Sequence, residues 1–185
     1  MSSVIIGSVN CRGLAEKIKR VDIFCICKEL YDITVLTDTH CCLENESHWL
    51  GEWGYIGKFS CYSSRSREVA VLFKNSLEFK INSEILDTNG NFVILDITIQ
   101  DYRLTLVAIY GPNDDNPDFS QSLQSTICLY ENASVVVVGD WNVVQHYDKD
   151  TINYRFENIP RAGIKVHRMM NDLYLIDIWR VQRPS

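Results

Sequence analysis

The stretch that most constrains the fold of this chain is Ser134 to Asn142, SVVVVGDWN. Four consecutive valines are apolar and β-branched, which predicts a strand buried on both faces of a sheet. Asp140 and Asn142 follow at its end, and residues two apart on an extended chain point the same way. The pattern indicates either a rigid polar site at the rim of a sheet or an Asx turn that closes the strand.

Length and composition predict one globular domain over residues 1–185. The chain is 46% hydrophobic and 23% charged, which is typical of a soluble fold. Its net charge of −6 argues against a non-specific nucleic-acid binder, which is usually basic. A nuclease stays compatible with that charge, because local patches and a metal ion can offset the overall field.

The seven cysteines include no C-x-x-C pair, which predicts a reducing compartment and cysteines that serve as small core residues. A zinc site built from His40, Cys41, Cys42 and His48 is disfavoured, because the spacing matches no usual zinc pattern. No apolar run reaches the roughly 18 residues of a membrane span. The N-terminus also lacks the features of a secretory signal.

Strands and helices alternate irregularly along the chain. Eight strands are predicted, at Val4–Val9, Ile33–Leu36, Val69–Phe73, Leu77–Leu86, Phe92–Ile99, Leu104–Tyr110, Ser134–Asp140 and Leu175–Trp179. Helical spacing predicts helices over Ala15–Leu30, with Arg20 among the charged residues around its apolar side, over Phe119–Tyr130, and after Pro160. Residues 44–66 are interpreted as a short helix and loops. Hairpins and helix-linked strands together favour mixed sheets with helices packed outside.

Three further predicted strands end in polar side chains. These residues are Asn10, Asp38 and Tyr110. Each has an ordinary explanation, since Asn10 and Asp38 suit turns or caps and Tyr110 suits a core with its hydroxyl at the surface. If the strand ends converge with Asp140 and Asn142, however, the carboxylates, amides and phenol would suit Mg²⁺ and a phosphate.

One loop-rich segment interleaves basic and aromatic residues. Lys58, Arg65 and Arg67 lie there among Phe59 and Tyr62. Such a segment is compatible with contact to a nucleic-acid backbone. The alternative is a well-packed loop without a ligand.

The segments SVNCRGL, LTDTH, VAVLF, VAIYGPN and GDWN, in this order, resemble the endonuclease/exonuclease/phosphatase superfamily. The chain is most similar to the apurinic-type endonuclease domain of LINE-type non-LTR retrotransposons, and the resemblance covers nearly its whole length. It implies a four-layered α/β sandwich, deoxyribonuclease-I-like, in which two mixed β-sheets are flanked by helices. The active site would lie at one end of the sheets.

The resemblance also implies an activity, namely nicking of one DNA strand in the nucleus to leave a 3′-hydroxyl, with Mg²⁺ or alternatively Mn²⁺. Asp38 would bind the metal, and Asp140 would orient or deprotonate the attacking water. Asn10, Asn142 and Tyr110 would hold the scissile phosphate or the water bound to the metal.

The chain departs from the family pattern in two places. Asp38 stands where the family has a glutamate, and no terminal Ser-Asp-His motif precedes Ser185. The four histidines that match no such motif are His40, His48, His146 and His167. A C-terminally short domain would lack its last strands, and its exposed sheet edge predicts self-association. Two alternatives therefore stay open: an inactive derivative that acts as a binding or assembly module, and a phosphodiesterase or phosphatase with a non-DNA substrate.

Overall fold

The computed structural model of the chain describes residues 3–61, 68–130, 134–145, 147–152 and 161–183. The chain divides into two compact units. The sheet unit comprises residues 1–111 and 130–141, and the helical unit comprises residues 112–129 and 142–185. The described residues form eight strands, in two mixed sheets of four strands each.

The first sheet has the strand order β1-β2-β4-β3. Its strands are β1 (Ile6–Asn10), β2 (Ile33–Thr37), β3 (Gly57–Ser60) and β4 (Val69–Phe73). Strands β1 and β2 are parallel, and their register sets Asn10 opposite Thr37. The other two pairings are antiparallel. As a result, the C-terminal ends of β1 and β2 and the N-terminal end of β4 lie at the same end of the sheet.

The second sheet has the strand order β5-β6-β7-β8. Its strands are β5 (Phe79–Leu86), β6 (Phe92–Ile99), β7 (Tyr102–Tyr110) and β8 (Val135–Asp140). The predicted hairpin between β6 and β7 is confirmed by their antiparallel pairing. Strands β7 and β8 are parallel, with Tyr110 opposite Asp140.

The core of the sheet unit lies between the two sheets and follows the period of two in their sequences. Val69, Val71 and Phe73 of β4 face the inter-sheet core together with side chains of β6 and β7. Ala70 and Leu72, the residues between them, face the other way and pack beneath two helices. These helices are α1 (Lys17–Leu30) and α2 (Leu43–Trp53). They contribute Phe24 and Trp53, whose rings meet edge to face at 5.5 Å.

The helical unit contains four helices among its described residues. They are α3 (Pro117–Ile127), α4 (Tyr147–Asp150), α5 (Arg161–Asp172) and α6 (Ile178–Gln182). Helices α3 and α5 pack together. Leu123 of α3 and Val166 and Met169 of α5 are buried. The backbone N–H of Ala162 donates to Asp115 Oδ1 at 2.7 Å, which satisfies a donor in the first turn of α5 and lowers the pKa of that carboxyl.

Three predictions about these elements are wrong. Strand β8, which is predicted to be buried on both faces, is only half-buried along its whole length, because it lies at the edge of its sheet. Residues 175–179 form no strand, since Asp177 caps the start of α6 by accepting from the N–H of Arg180. Gly57–Ser60, which was interpreted as loop, is strand β3 and pairs with β4.

Two expectations from the sequence concern a membrane span and self-association of the chain. Across the described parts of the chain, no helix has the length and apolar character needed to cross a bilayer. Among the described residues β8 pairs with β7 alone, so one side of this strand is a sheet edge. Self-association through that edge stays a prediction.

Candidate active site

The end of β8 is shaped by Gly139. This residue has φ of +137°, and a Cβ added to it would lie 2.0 Å from the carbonyl oxygen of Ile109. Only glycine permits so close an approach between β7 and β8. The carbonyl of the next residue, Asp140, accepts a hydrogen bond from Gly111 N–H at 2.7 Å. The backbone thus fixes Asp140 beside the end of β7. We call the end of the two sheets at which Asn10, Tyr110 and Asp140 lie the rim.

A hydrogen bond between two side chains connects the ends of β1 and β8. Asn10 Nδ2 donates to Asp140 Oδ2 at 2.7 Å. The amide oxygen of Asn10 accepts from the N–H of Arg12 at 3.2 Å, which determines which end of the amide faces the carboxylate. Asn10 ends the edge strand of the first sheet, and Asp140 ends the edge strand of the second. Two residues 130 positions apart in the sequence therefore meet at the point where the two sheet edges come together.

Backbone hydrogen bonds join the loop that follows β1 to the end of β2 and the turn after it. Cys11 N–H donates to Thr37 at 2.8 Å, and Gly13 N–H donates to Asp38 at 2.7 Å. Lys19 closes the outer side of the loop, since its Nζ donates to the carbonyls of residues 12 and 13 at 3.0 and 2.8 Å. Asp38 therefore extends from a rigid turn rather than from a free loop.

Several residues at this rim have left-handed backbone conformations. Arg12, Asp38, His40 and Glu68 have positive φ, between 48° and 65°. This conformation is costly for residues with side chains and is concentrated at functional sites. Glu68, which is fully buried, immediately precedes β4, and its carbonyl accepts from the N–H of Thr39 at 3.5 Å. His40 and Glu68 are rim residues that the sequence pattern did not identify as site residues.

Tyr110 is buried, and its ring belongs to the inter-sheet core. Asn91 holds its backbone from both sides. The amide Nδ2 of Asn91 donates to the carbonyl of Tyr110 at 2.9 Å, and the N–H of Tyr110 donates to the carbonyl of Asn91 at 2.7 Å. The turn before β6 thereby positions the end of β7.

An ion pair between Arg20 and Glu52 joins the two helices that pack on the first sheet. Arg20, which was predicted to lie with the charged residues around the apolar side of α1, is only 4% exposed. Its guanidinium donates to both carboxylate oxygens of Glu52 and to the carbonyl of Leu14 at 2.8 Å. The ring of Trp49 lies 4.7 Å below the same guanidinium. Hydrogen bonding from Arg20 lowers the pKa of Glu52.

The cysteines near the rim are structural. All seven cysteines of the chain are free thiols, and Cys11, Cys27 and Cys41 are buried. Burial raises the pKa of Cys11 to about 12. A neighbouring thiol, Cys61, and burial raise the pKa of Cys41. Both groups are therefore thiols at neutral pH and poor nucleophiles.

Three predicted site residues do not join this description of the rim. Arg65 and Arg67 lie outside the described residues. Asn142 belongs to the helical unit, is exposed, and has φ of 52°. Its predicted partnership with Asp140 stays a prediction.

Asp38 is the rim carboxylate that the sequence analysis assigns to Mg²⁺. In the described parts of the chain, no three His, Cys, Asp or Glu side chains lie close enough together to hold a metal ion. Zinc needs such a set. Mg²⁺ does not, because it keeps most of its waters and binds through one or two carboxylates plus substrate phosphates. Asp38, whose side chain is 19% exposed and extends from a rigid turn, matches that requirement.

Comparison with known structures identifies the fold. No family model matches the sequence. The chain is similar to the AP endonuclease LMAP from Leishmania major (TM-score 0.73, 16% identity, 97% of this chain and 69% of that chain). It is similar to an AP endonuclease from Archaeoglobus fulgidus (TM-score 0.73, 17% identity, 99% and 76%). It is also similar to the endonuclease domain of TRAS1, a telomere-specific non-LTR retrotransposon (TM-score 0.60, 11% identity, 92% and 71%).

These similarities confirm the predicted fold, two mixed sheets flanked by helices in the deoxyribonuclease-I-like arrangement. AP endonucleases and a retrotransposon endonuclease domain are also the structures that the sequence resemblance leads one to expect. At such low identities the similarity concerns the fold, and the activity has to be argued from the rim itself.

Proposed function

We propose that this chain is a DNA endonuclease that hydrolyses a phosphodiester bond in one strand, leaves a 3′-hydroxyl and acts in the nucleus. The observation that carries the proposal is the hydrogen bond between Asn10 and Asp140. It joins the two sheets at the end where Asp38 follows β2 and Tyr110 ends β7. The fold shared with AP endonucleases and with a retrotransposon endonuclease domain supports DNA as the substrate.

Asp140 orients and deprotonates the attacking water in this proposal. Its carboxylate accepts from the Asn10 amide at 2.7 Å, which restricts its rotation. A carboxylate held within hydrogen-bonding reach of a water is the geometry that general-base catalysis requires. Asn10, Asn142 and Tyr110 hold the scissile phosphate, and Arg65 and Arg67 contact the neighbouring DNA backbone.

Asp38 binds Mg²⁺, or alternatively Mn²⁺. A bound divalent cation supplies charge neutralisation at the phosphate and at the departing 3′ oxygen. The residues around the site position the groups that act on the substrate. The backbone hydrogen bonds between the loops after β1 and β2 hold Asp38 in place. The hydrogen bond from Asn91 to the carbonyl of Tyr110 holds the end of β7.

The test is nicking of supercoiled plasmid by the purified protein in Mg²⁺, with and without EDTA. Replacing Asp140 by Ala is expected to lower the nicking rate by about 10²–10⁴-fold, because the general base is lost. Asp101→Ala is the matched control, since Asp101 is exposed in the turn that begins β7, at the opposite end of the same sheet. Extension of the nicked product by a DNA polymerase without prior phosphatase treatment reports the 3′-hydroxyl.

Nicking that survives Asp140→Ala would refute this assignment of the site. Equal rates in all proteins, no higher than the EDTA blank, would favour the alternative of an inactive derivative that acts as a binding module. A DNA-binding titration of the same samples then separates a binding module from a protein with no affinity for DNA.

A further inference from the structure

His40 lies against the carboxylate of Asp38 at the rim of the first sheet. Its Nε2 is 3.2 Å from Asp38 Oδ1, and the two side chains are 28% and 19% exposed. Both residues have positive φ, 61° for His40 and 54° for Asp38. The short turn from Asp38 to His40 therefore folds back on itself and brings the imidazole to the acid two residues earlier.

The loop after β1 confines the imidazole from the other side. Gly13 has φ of +79°, and a Cβ added to it would lie 3.0 Å from His40 Nδ1. The N–H of Gly13 donates to the carbonyl of Asp38 at 2.7 Å, so the same glycine contacts both residues. The absence of a side chain at Gly13 makes room for the ring. Because the ring is held between Gly13 and Asp38, its direction is set by the packing of two loops.

We propose that His40 is a positioning residue for metal binding by Asp38, an inference that rests on the proposed function. The imidazole Nε2–H donates to Asp38 Oδ1 and restricts rotation of the carboxylate about its last torsion. Hydrogen-bonded partners of metal-ligating side chains commonly act in this way. The restriction matters for Mg²⁺, which tolerates little variation in the distance and direction of its oxygen ligands.

A second histidine–carboxylate pair supplies an internal control. His48 Nε2 lies 3.1 Å from Glu52 Oε1 on α2, and its side chain is 62% exposed. This pair has nearly the same distance between the nitrogen and the oxygen as the His40–Asp38 pair. It has no predicted part in the site. Loss of an imidazole from a carboxylate can therefore be compared at the rim and on a helix surface.

The experiment measures the Kd of Mn²⁺ for the purified protein without DNA, by electron paramagnetic resonance of the free ion. Asp38→Ala is expected to abolish binding at the rim. His40→Ala is expected to raise the Kd about tenfold or more. His40→Gln is expected to restore most of the affinity, because its amide N–H reaches the position of Nε2. His48→Ala is expected to leave the Kd unchanged.

The outcomes separate the inference from the proposed function. If Asp38→Ala loses Mn²⁺ while His40→Ala binds as tightly as the unmodified protein, the inference is wrong and the metal site stands. If Asp38→Ala binds as tightly as the unmodified protein, or the unmodified protein binds no Mn²⁺, the inference is wrong, because Asp38 then has no metal affinity of its own for His40 to support. Should His40→Ala fail to fold by circular dichroism, His40→Gln and His40→Asn decide the question. The shorter Asn amide does not reach the Nε2 position, so equal affinities of these two variants would overturn the inference.

Discussion

Strands β2 and β8 have similar sequence patterns and different surroundings. Both are apolar, each pairs in parallel with a neighbour, and an aspartate lies at the end of each, Asp38 after β2 and Asp140 in β8. Every residue of β2 is buried, because β2 lies between β1 and β4, whereas every residue of β8 is half-buried at a sheet edge. The comparison shows that a run of β-branched residues indicates a strand but does not indicate how many neighbours it has.

The difference has a functional consequence. Asn10 and Asp140 end the two edge strands, and their hydrogen bond lies where the edges meet. In the proposed function, DNA reaches the Asp140 carboxylate at the end of an edge strand. The central strand instead supplies a rigid base for Asp38.

The largest stability effect is expected at the ion pair between Arg20 and Glu52. Arg20→Met removes the buried partner of Glu52 and leaves its carboxylate with only the exposed His48 beside it, which is expected to cost about 3–5 kcal/mol of unfolding free energy. Urea denaturation measures this cost. Lys17→Met on the same helix is the control, because Lys17 is exposed. Equal losses in the two variants would contradict the role assigned to the pair.

The same pair has a predictable pH dependence. Arg20 lowers the pKa of Glu52 below its ordinary value of 4.5. The folded state therefore binds that proton less readily than the unfolded state, so the stabilisation is fully present above pH 4.5 and is lost as the pH falls through the lowered pKa. The stability difference between the unmodified protein and Glu52→Gln should shrink in acid. A difference that is constant between neutral pH and pH 3 would count against it.

The direct test of the comparison uses the same substitution on both strands. Val35 of β2 and Val136 of β8 both face the inter-sheet core, and Val35 is fully buried. Val35→Ala is expected to cost about 2–3 kcal/mol, and Val136→Ala less than about 1 kcal/mol. Denaturation midpoints of the two variants give the ratio. A larger loss at Val136 would mean that β8 is packed as tightly as β2.

A smaller effect is expected at the end of β7. Asn91→Ala removes the donor to the buried carbonyl of Tyr110 and is expected to cost about 1–3 kcal/mol. It should also lower the nicking rate, since the end of β7 loses its support. Asn89→Ala in the same turn is the control, because Asn89 is exposed. Unchanged activity in Asn91→Ala would mean that Asn91 does not support the site.

The smallest effect is expected from lengthening the acid at the end of β2. Asp38→Glu restores the reach that the resembled family has, so the nicking rate is expected to rise by less than about tenfold. Steady-state nicking at several Mg²⁺ concentrations measures the change. A lower rate would show that the rim has adapted to aspartate, for which the confinement of Asp38 by His40 would be a physical reason.

Particular residues show where the sequence pattern stops being informative. LIDIW at residues 175–179 has the composition of a strand, but Asp177 caps a helix that begins at Ile178. Gly57–Ser60 has little strand character of its own and becomes a strand by pairing with β4. His40 has an unremarkable local context, and its contact with Gly13 joins two loops that are distant in sequence.

The sequence by itself determined seven of the eight described strands, the main helices, the polar residues that follow the strands, and the class of fold that their order implies. Periodicity and strand-end chemistry are local properties, so they can be read from neighbouring residues. The tertiary structure alone decided that β1 and β8 are edge strands, that Arg20 is buried against Glu52, and that His40 confines Asp38. These features depend on pairing between distant segments, and no local pattern records which segments will become neighbours.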